Sequence, residues 1–311
     1  MKQIKTQLKN VVERYAYKNF HTAKAFQFLW FHSKFRRENN PILIYQMGKV
    51  GSSTLQNSLN AINLNRTIHH VHTLTKENLD NLDKVLKNSF HLTKSIPGHY
   101  VRGRCLLKQI NADPGKKWTI ITLVRDPIAR NISSFFQDIN HRFPEFNYPQ
   151  KVKTLNQDEL VSELIKLYLE KHDHEKPLWW FDKELKQTFG IDVYSTPFPK
   201  VKGYKIYGGQ RAEVLLIRLE NLSQCKNKAF KEFLNIDNFE LINVNLAEQK
   251  DYSEIYDKFK SSICFPKSYI ETFYNSKFVK HLYTQKEIRD FELKWKTENQ
   301  VIANLNTANV N

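Results

Sequence analysis

Two short, almost unbroken apolar runs, residues 41–47 (PILIYQM) and 118–124 (WTIITLV), constrain the fold of this chain more than any other feature. A half-solvated strand alternates apolar and polar side chains, so a run without alternation has to be covered on both faces. That is the position of a central strand in a parallel sheet flanked by helices. Each run leads directly into helical periodicity, with Leu55, Leu59 and Ile62 after the first and Ile128, Ile132, Phe135 and Phe136 after the second. Asp126 is placed to cap the second helix and Pro127 suits its first turn. Between the runs, residues 67–74 read as a strand and residues 76–88 as a helix. This βαβ rhythm predicts an α/β fold with a central, mostly parallel sheet and helices on both faces. Farther on, residues 160–169 and 178–189 read as helices, and strands over 204–207 and 213–219 flank Gly208-Gly209, a pair that suits a hairpin turn. The remainder to about Trp295 reads as mainly helical.

The chain has 311 residues, 41% of them hydrophobic and 13% aromatic, enough for one sizeable core. We expect a helical N-terminal extension over residues 1–38, one domain over 39–298, and a disordered Asn-rich tail over 299–311. The formal net charge of +16 favours anionic partners such as nucleotides, polyanions or anionic lipid, without choosing among them. Cys105, Cys225 and Cys264 are odd in number and far apart, which predicts neither a disulfide framework nor a metal site, and a reducing, cytoplasmic setting is the simpler expectation. The apolar stretch 25–31 is too short to cross a bilayer. Near the start, Lys2, Lys5, Lys9 and Arg14 alternate with Ile4, Leu8, Val11 and Val12. Such a basic amphipathic helix can lie weakly on an anionic membrane surface, although packing on its own domain is the commoner outcome.

The segment joining the first strand to the first helix, Gln46-Met47-Gly48-Lys49-Val50-Gly51-Ser52-Ser53-Thr54, suits an anion. Gly51 permits a tight turn around a phosphate, and free amides and hydroxyls of Ser52, Ser53 and Thr54 at the helix start point towards it, while Lys49 adds a mobile charge. A Walker A loop requires its lysine after the last glycine, and here Lys49 precedes Gly51, so the nucleoside triphosphatase pattern fails. A second cationic element lies at the end of the 118–124 strand, where Arg125 precedes Asp126-Pro127 and Ser133 follows eight residues later.

Together these segments resemble the sulfotransferases that use 3′-phosphoadenosine 5′-phosphosulfate (PAPS). In that superfamily the 5′-phosphosulfate loop reads Lys-x-Gly-[ST]-[ST], matched by Lys49, Gly51, Ser52 and Ser53. The 3′-phosphate is held by an Arg at a strand end and a Ser eight residues on, matched by Arg125 and Ser133. The chain looks most like bacterial sulfotransferases grouped with capsular polysaccharide synthesis, and more distantly like carbohydrate O-sulfotransferases, over about residues 41–296. Beyond the two motifs, the likeness is carried by HVHTL (70–74), PLWWFDKELKQTFGIDVY (177–194), LLIRLENL (215–222) and YTQKEIRDFELKW (283–295). It implies a P-loop-like three-layer fold, PAPS as co-substrate with 3′-phosphoadenosine 5′-phosphate as product, no metal, and a hydroxyl or amine acceptor, most readily a carbohydrate. PAPS would then contact residues 49–54, with Val50 in the loop, as well as Arg125 and Ser133.

Sulfuryl transfer asks for positioning and charge stabilisation, and Lys49 is the expected stabiliser of the leaving oxygen. Family members use a His or Glu as base near the carboxyl ends of the central strands. His72, at the end of the second strand, is preferred here to His99, which follows Pro97-Gly98. His69, His91, His172 and His174 are expected in structural or surface roles. Arg102, Arg104 and Lys108 read as solvated helix charges, and Trp179-Trp180 as core rather than a sugar platform. Two other classes stay open: a nucleoside or sugar kinase with an atypical loop, and a non-enzymatic polyanion-binding module. Nucleic acid is not expected as a partner, and the oligomeric state is not legible.

Overall fold

The computed structural model describes residues 17–35, 40–62, 64–242 and 252–295. The N-terminal stretch holding Lys2 to Arg14 and the Asn-rich tail lie outside them. A five-stranded sheet with flanking helices forms the centre, in the order β2-β1-β3-β5-β4. Its strands are β1 Ile42–Tyr45, β2 Ile68–Val71, β3 Trp118–Val124, β4 Tyr204–Gly208 and β5 Ala212–Arg218. All neighbours are parallel except β4, which returns antiparallel along β5 as the glycine pair predicts. The two runs that lack alternation are the central strands β1 and β3, and β1 is buried at every position.

Around the sheet run α1 Phe20–Phe35, α2 Ser52–Ala61, α3 Lys76–Thr93, α4 Gly98–Ala112 and α5 Pro127–Arg142. The second strand is shorter than the predicted 67–74, ending at Val71. Residues beyond it are drawn off the sheet by a buried carboxylate: Glu184 accepts from the amides of Leu74 and Thr75 at 2.8 and 3.2 Å, from the Asn78 side chain at 2.7 Å, and from the Tyr45 hydroxyl. Buried β-formers give up a ladder when a charged acceptor offers their amides stronger bonds. Helix α1 is joined to the domain by its own apolar cluster, with Phe20 and Ala23 against Leu79, Phe90, Ile96, Tyr100 and Val101. No helix among the described residues is long and apolar enough to cross a membrane.

Topology places a crevice. From β1 the chain moves outward to β2, then crosses back so that β3 lies on the other side of β1. The connections leaving the carboxyl ends of β1 and β3 therefore run in opposite directions, and open parallel sheets bind ligands between such divergent loops. The paired register of β1 and β3 stops at Ile44↔Ile121. Past it the Gln46 side chain fills the split, accepting from the Leu123 amide at 2.8 Å.

Candidate active site

The loops leaving β1 and β3 carry the two cationic segments singled out in the sequence, and the structure joins them. The Arg125 guanidinium donates to the Lys49 carbonyl at 3.4 Å, and Arg130 Nε donates to the Gly48 carbonyl at 3.0 Å. Two guanidinium groups thus occupy the carbonyls of Gly48 and Lys49. Lys49 holds a φ of 71° and Gly51 a φ of 92°, both left-handed. For a lysine this conformation costs of order 1 kcal/mol or more, which the surrounding structure must impose. At Gly51 the left-handed backbone favours glycine, and a Cβ there would lie 2.8 Å from Leu219 Cδ1, which would have to shift.

Gly51 caps α2 without a side-chain hydrogen bond, and the first-turn amides of Ser52, Ser53 and Thr54 have no acceptor among the described residues. Such amides, with the positive end of the helix dipole behind them, bind an anion. Beside them Gln46 Nε2 is a fully buried donor that also lacks a partner. Lys49 Nζ reaches Gln137 Oε1 at 3.3 Å. Gln137 stands one turn after Ser133 on α5, so the ammonium lies along the helix face that carries Ser133. Ser133 is half-buried and its hydroxyl has no partner among the described residues.

The α5 start is held from behind. Asp126 accepts from the amides of Ile128 and Ala129 at 3.2 and 3.3 Å, as the cap reading predicts. It also accepts from Tyr274 Oη at 2.9 Å and Trp295 Nε1 at 3.1 Å. The Asp126 amide in turn donates to Glu220 at 2.8 Å. Helices from the C-terminal third of the chain therefore fix the turn that aims Arg125.

The two competing histidines are neighbours. The rings of His70 and His72 lie 4.4 Å apart and those of His72 and His99 4.8 Å apart, centroid to centroid. His72 Nδ1 is 2.8 Å from the Gln46 carbonyl oxygen. A carbonyl only accepts, so Nδ1 carries the proton and Nε2 keeps its lone pair. That Nε2 faces the 46–54 loop, 3.7 Å from where a Cβ on Gly48 would stand. The ring is fixed further by Trp180, whose indole donates to the His72 carbonyl at 3.0 Å. Burial holds the imidazoles unprotonated: His72 well below the ordinary range, His70 at about 3 and His99 at about 4, each with neighbouring cationic groups acting the same way. His72 thus presents a neutral, oriented imidazole.

This has a consequence for acid stability. Between pH 6.5 and about 4 the unfolded chain takes up protons that native His70, His72 and His99 refuse, so stability falls as the pH falls. Each histidine contributes a slope of up to about 1.4 kcal/mol per pH unit. Thermal melts across that window should show a shallower acid decline for His99→Gln than for the parent protein, and an unchanged slope would contradict the neutral assignment.

Sequence reading missed Arg130, Glu184 and Lys176. Arg130 is 3% exposed, with a pKa pushed down to about 10 by burial. Arg102 is not solvated as expected, because it donates to the His70 carbonyl at 2.7 Å. Arg104 pairs with Asp80 at 2.7 Å, and Lys108 is exposed. Trp180 belongs to the core while Trp179 is half-buried. His172 is buried, and His174 is engaged through both ring nitrogens by Tyr168 and Tyr269 at 2.8 Å, both in structural surroundings.

Comparison with known proteins adds one finding. The family model NKWYS, described as "Putative capsular polysaccharide synthesis protein", matches residues 151–284. That stretch, under half of the chain, includes Lys176, Trp180 and Glu184 and lies downstream of both the 46–54 loop and Arg125. No curated protein and no solved structure matches the chain.

Proposed function

We propose that this protein is a sulfotransferase that moves a sulfuryl group from PAPS to a hydroxyl of a carbohydrate acceptor. The observation that carries this reading is the Arg125 guanidinium on the carbonyl of Lys49, which sets the two cationic segments at one crevice. A nucleotide with phosphates at both ends of its ribose needs two such anchors. The free amides of residues 52–54 and Lys49 suit the 5′-phosphosulfate, while Arg125 and the Ser133 hydroxyl suit the 3′-phosphate. The family similarity over residues 151–284 favours a sugar polymer as the acceptor.

In this reading the acceptor hydroxyl attacks sulfur in line, forming the new O–S bond as the bond from sulfur to the bridging phosphate oxygen breaks. His72 Nε2 takes the hydroxyl proton. Negative charge collects on the bridging oxygen, where Lys49 neutralises it, and 3′-phosphoadenosine 5′-phosphate departs with the bond's electron pair. Incubation with sulfur-labelled PAPS and a panel of neutral and acidic oligosaccharides tests the proposal. Label is expected on a sugar, and phosphate transfer from ATP·Mg²⁺ without any sulfuryl transfer would replace this reading by the kinase one.

A further inference from the structure

Lys176 is an ammonium without a counter-ion at the edge of this crevice. The stretch leading to it is pinned to α5, where Asn131 Nδ2 donates to the His174 carbonyl at 2.8 Å. The helix it opens, Lys176–Trp180, is pinned at its other end through the Trp180 indole on the carbonyl of His72. The backbone at 176 is therefore held between the base and the helix that carries Arg130 and Ser133. Part of the residue's surface is open, while its charged end lies deep among protein atoms.

From there Lys176 acts electrostatically on His72, His99 and His172. On α5 it faces two further cations, Arg130 and Arg142. The carboxylates that face it, Asp138 and Glu184, stand beyond ion-pair distance and are engaged by other groups. No hydrogen bond or ion pair holds the Lys176 ammonium among the described residues. A desolvated cation beside other cations is costly unless an anion arrives to meet it. Burial and the two arginines bring its pKa down to about 8.

Resting on the PAPS reading, we infer that Lys176 contacts the sulfuryl group itself, from the side of His72 and α5, and stabilises the charge of its terminal oxygens during transfer. Lys49 would serve the leaving oxygen and Lys176 the group in flight. Lys176 then favours PAPS over its desulfated product, which lacks the sulfuryl oxygens it meets.

The test compares the parent protein with Lys176→Met and Lys176→Arg, measuring the affinity for 3′-phosphoadenosine 5′-phosphate alongside turnover of PAPS. Lys176→Met should keep the product's affinity within about twofold while turnover falls about 100-fold, the usual loss for one electrostatic donor. In the parent protein kcat/KM for PAPS should decline as pH rises through about 8, as the ammonium of the free protein loses its proton. Lys176→Arg, which stays charged, should retain activity and lose that decline. Turnover of Lys176→Met within threefold of the parent, or an alkaline decline preserved in Lys176→Arg, overturns the inference and leaves the nucleotide site standing. A parent protein that binds neither nucleotide overturns both.

Discussion

Lys49→Ala is expected to lower the turnover of sulfuryl transfer by about 1,000-fold, or roughly 4 kcal/mol of barrier, with little change in melting temperature. The size follows from what the side chain is asked to do: meet charge that develops only as the sulfur–oxygen bond breaks, at a helix start whose first-turn amides have no acceptor among the described residues. The fold should tolerate the change because the loop is held by other atoms, through Arg125 on the Lys49 carbonyl and Arg130 on the Gly48 carbonyl, and neither contact uses the Lys49 side chain. Removing a non-glycine side chain from a left-handed position adds little strain of its own. Steady-state kinetics with calorimetric melts separate the two quantities. A variant as active as the parent would remove Lys49 from the chemistry.

The second large effect is expected at His72. His72→Asn keeps a donor able to reach the Gln46 carbonyl and deletes the Nε2 lone pair, so turnover should fall between about 100-fold and 10,000-fold, the range for a general base. His99→Ala should fall by about tenfold or less, since His99 borders His72 without the same directed link to the loop. Equal losses in the two variants, or a larger one at His99, would move the base to His99. Parent activity should hold on the acid side past the ordinary imidazole range, because burial keeps His72 neutral there.

The sheet was legible because its central strands are covered on both faces, which leaves a continuous apolar run such as WTIITLV with no other use. The turn at Arg125-Asp126-Pro127 was legible for a local reason as well, since cap, proline and apolar stripe lie within a dozen residues. What stayed hidden is tertiary. Arg130 looks like any polar position on an amphipathic helix, and only the path of the β1 loop brings Gly48 under it. Glu184 reads as a surface carboxylate within the predicted helix over 178–189. In the structure that helix passes through a π-helical stretch, Phe181–Lys186, and the carboxylate reaches across to residues 74, 75 and 78. Lys176 follows no motif. His72 and His99 compete as sites 27 positions apart in sequence, and the fold brings them to one place by setting their rings 4.8 Å apart.

Residues 151–284, which match the capsular polysaccharide synthesis family, include β4 and β5, Glu184, and the Glu220 and Tyr274 that hold Asp126, while Trp295 lies beyond them. In the proposed division of labour, residues 46–54 and 124–133 hold the nucleotide, while the downstream half braces that site and supplies Lys176.

Isothermal titration of 3′-phosphoadenosine 5′-phosphate into the parent protein and into Arg125→Ala tests the central claim most directly, because it needs no acceptor. One-to-one binding is expected, without Mg²⁺, weakened about 30-fold or more in the variant, as loss of a charged contact worth roughly 2 kcal/mol requires. Absence of binding to the parent, or equal affinity in the variant, would contradict the account.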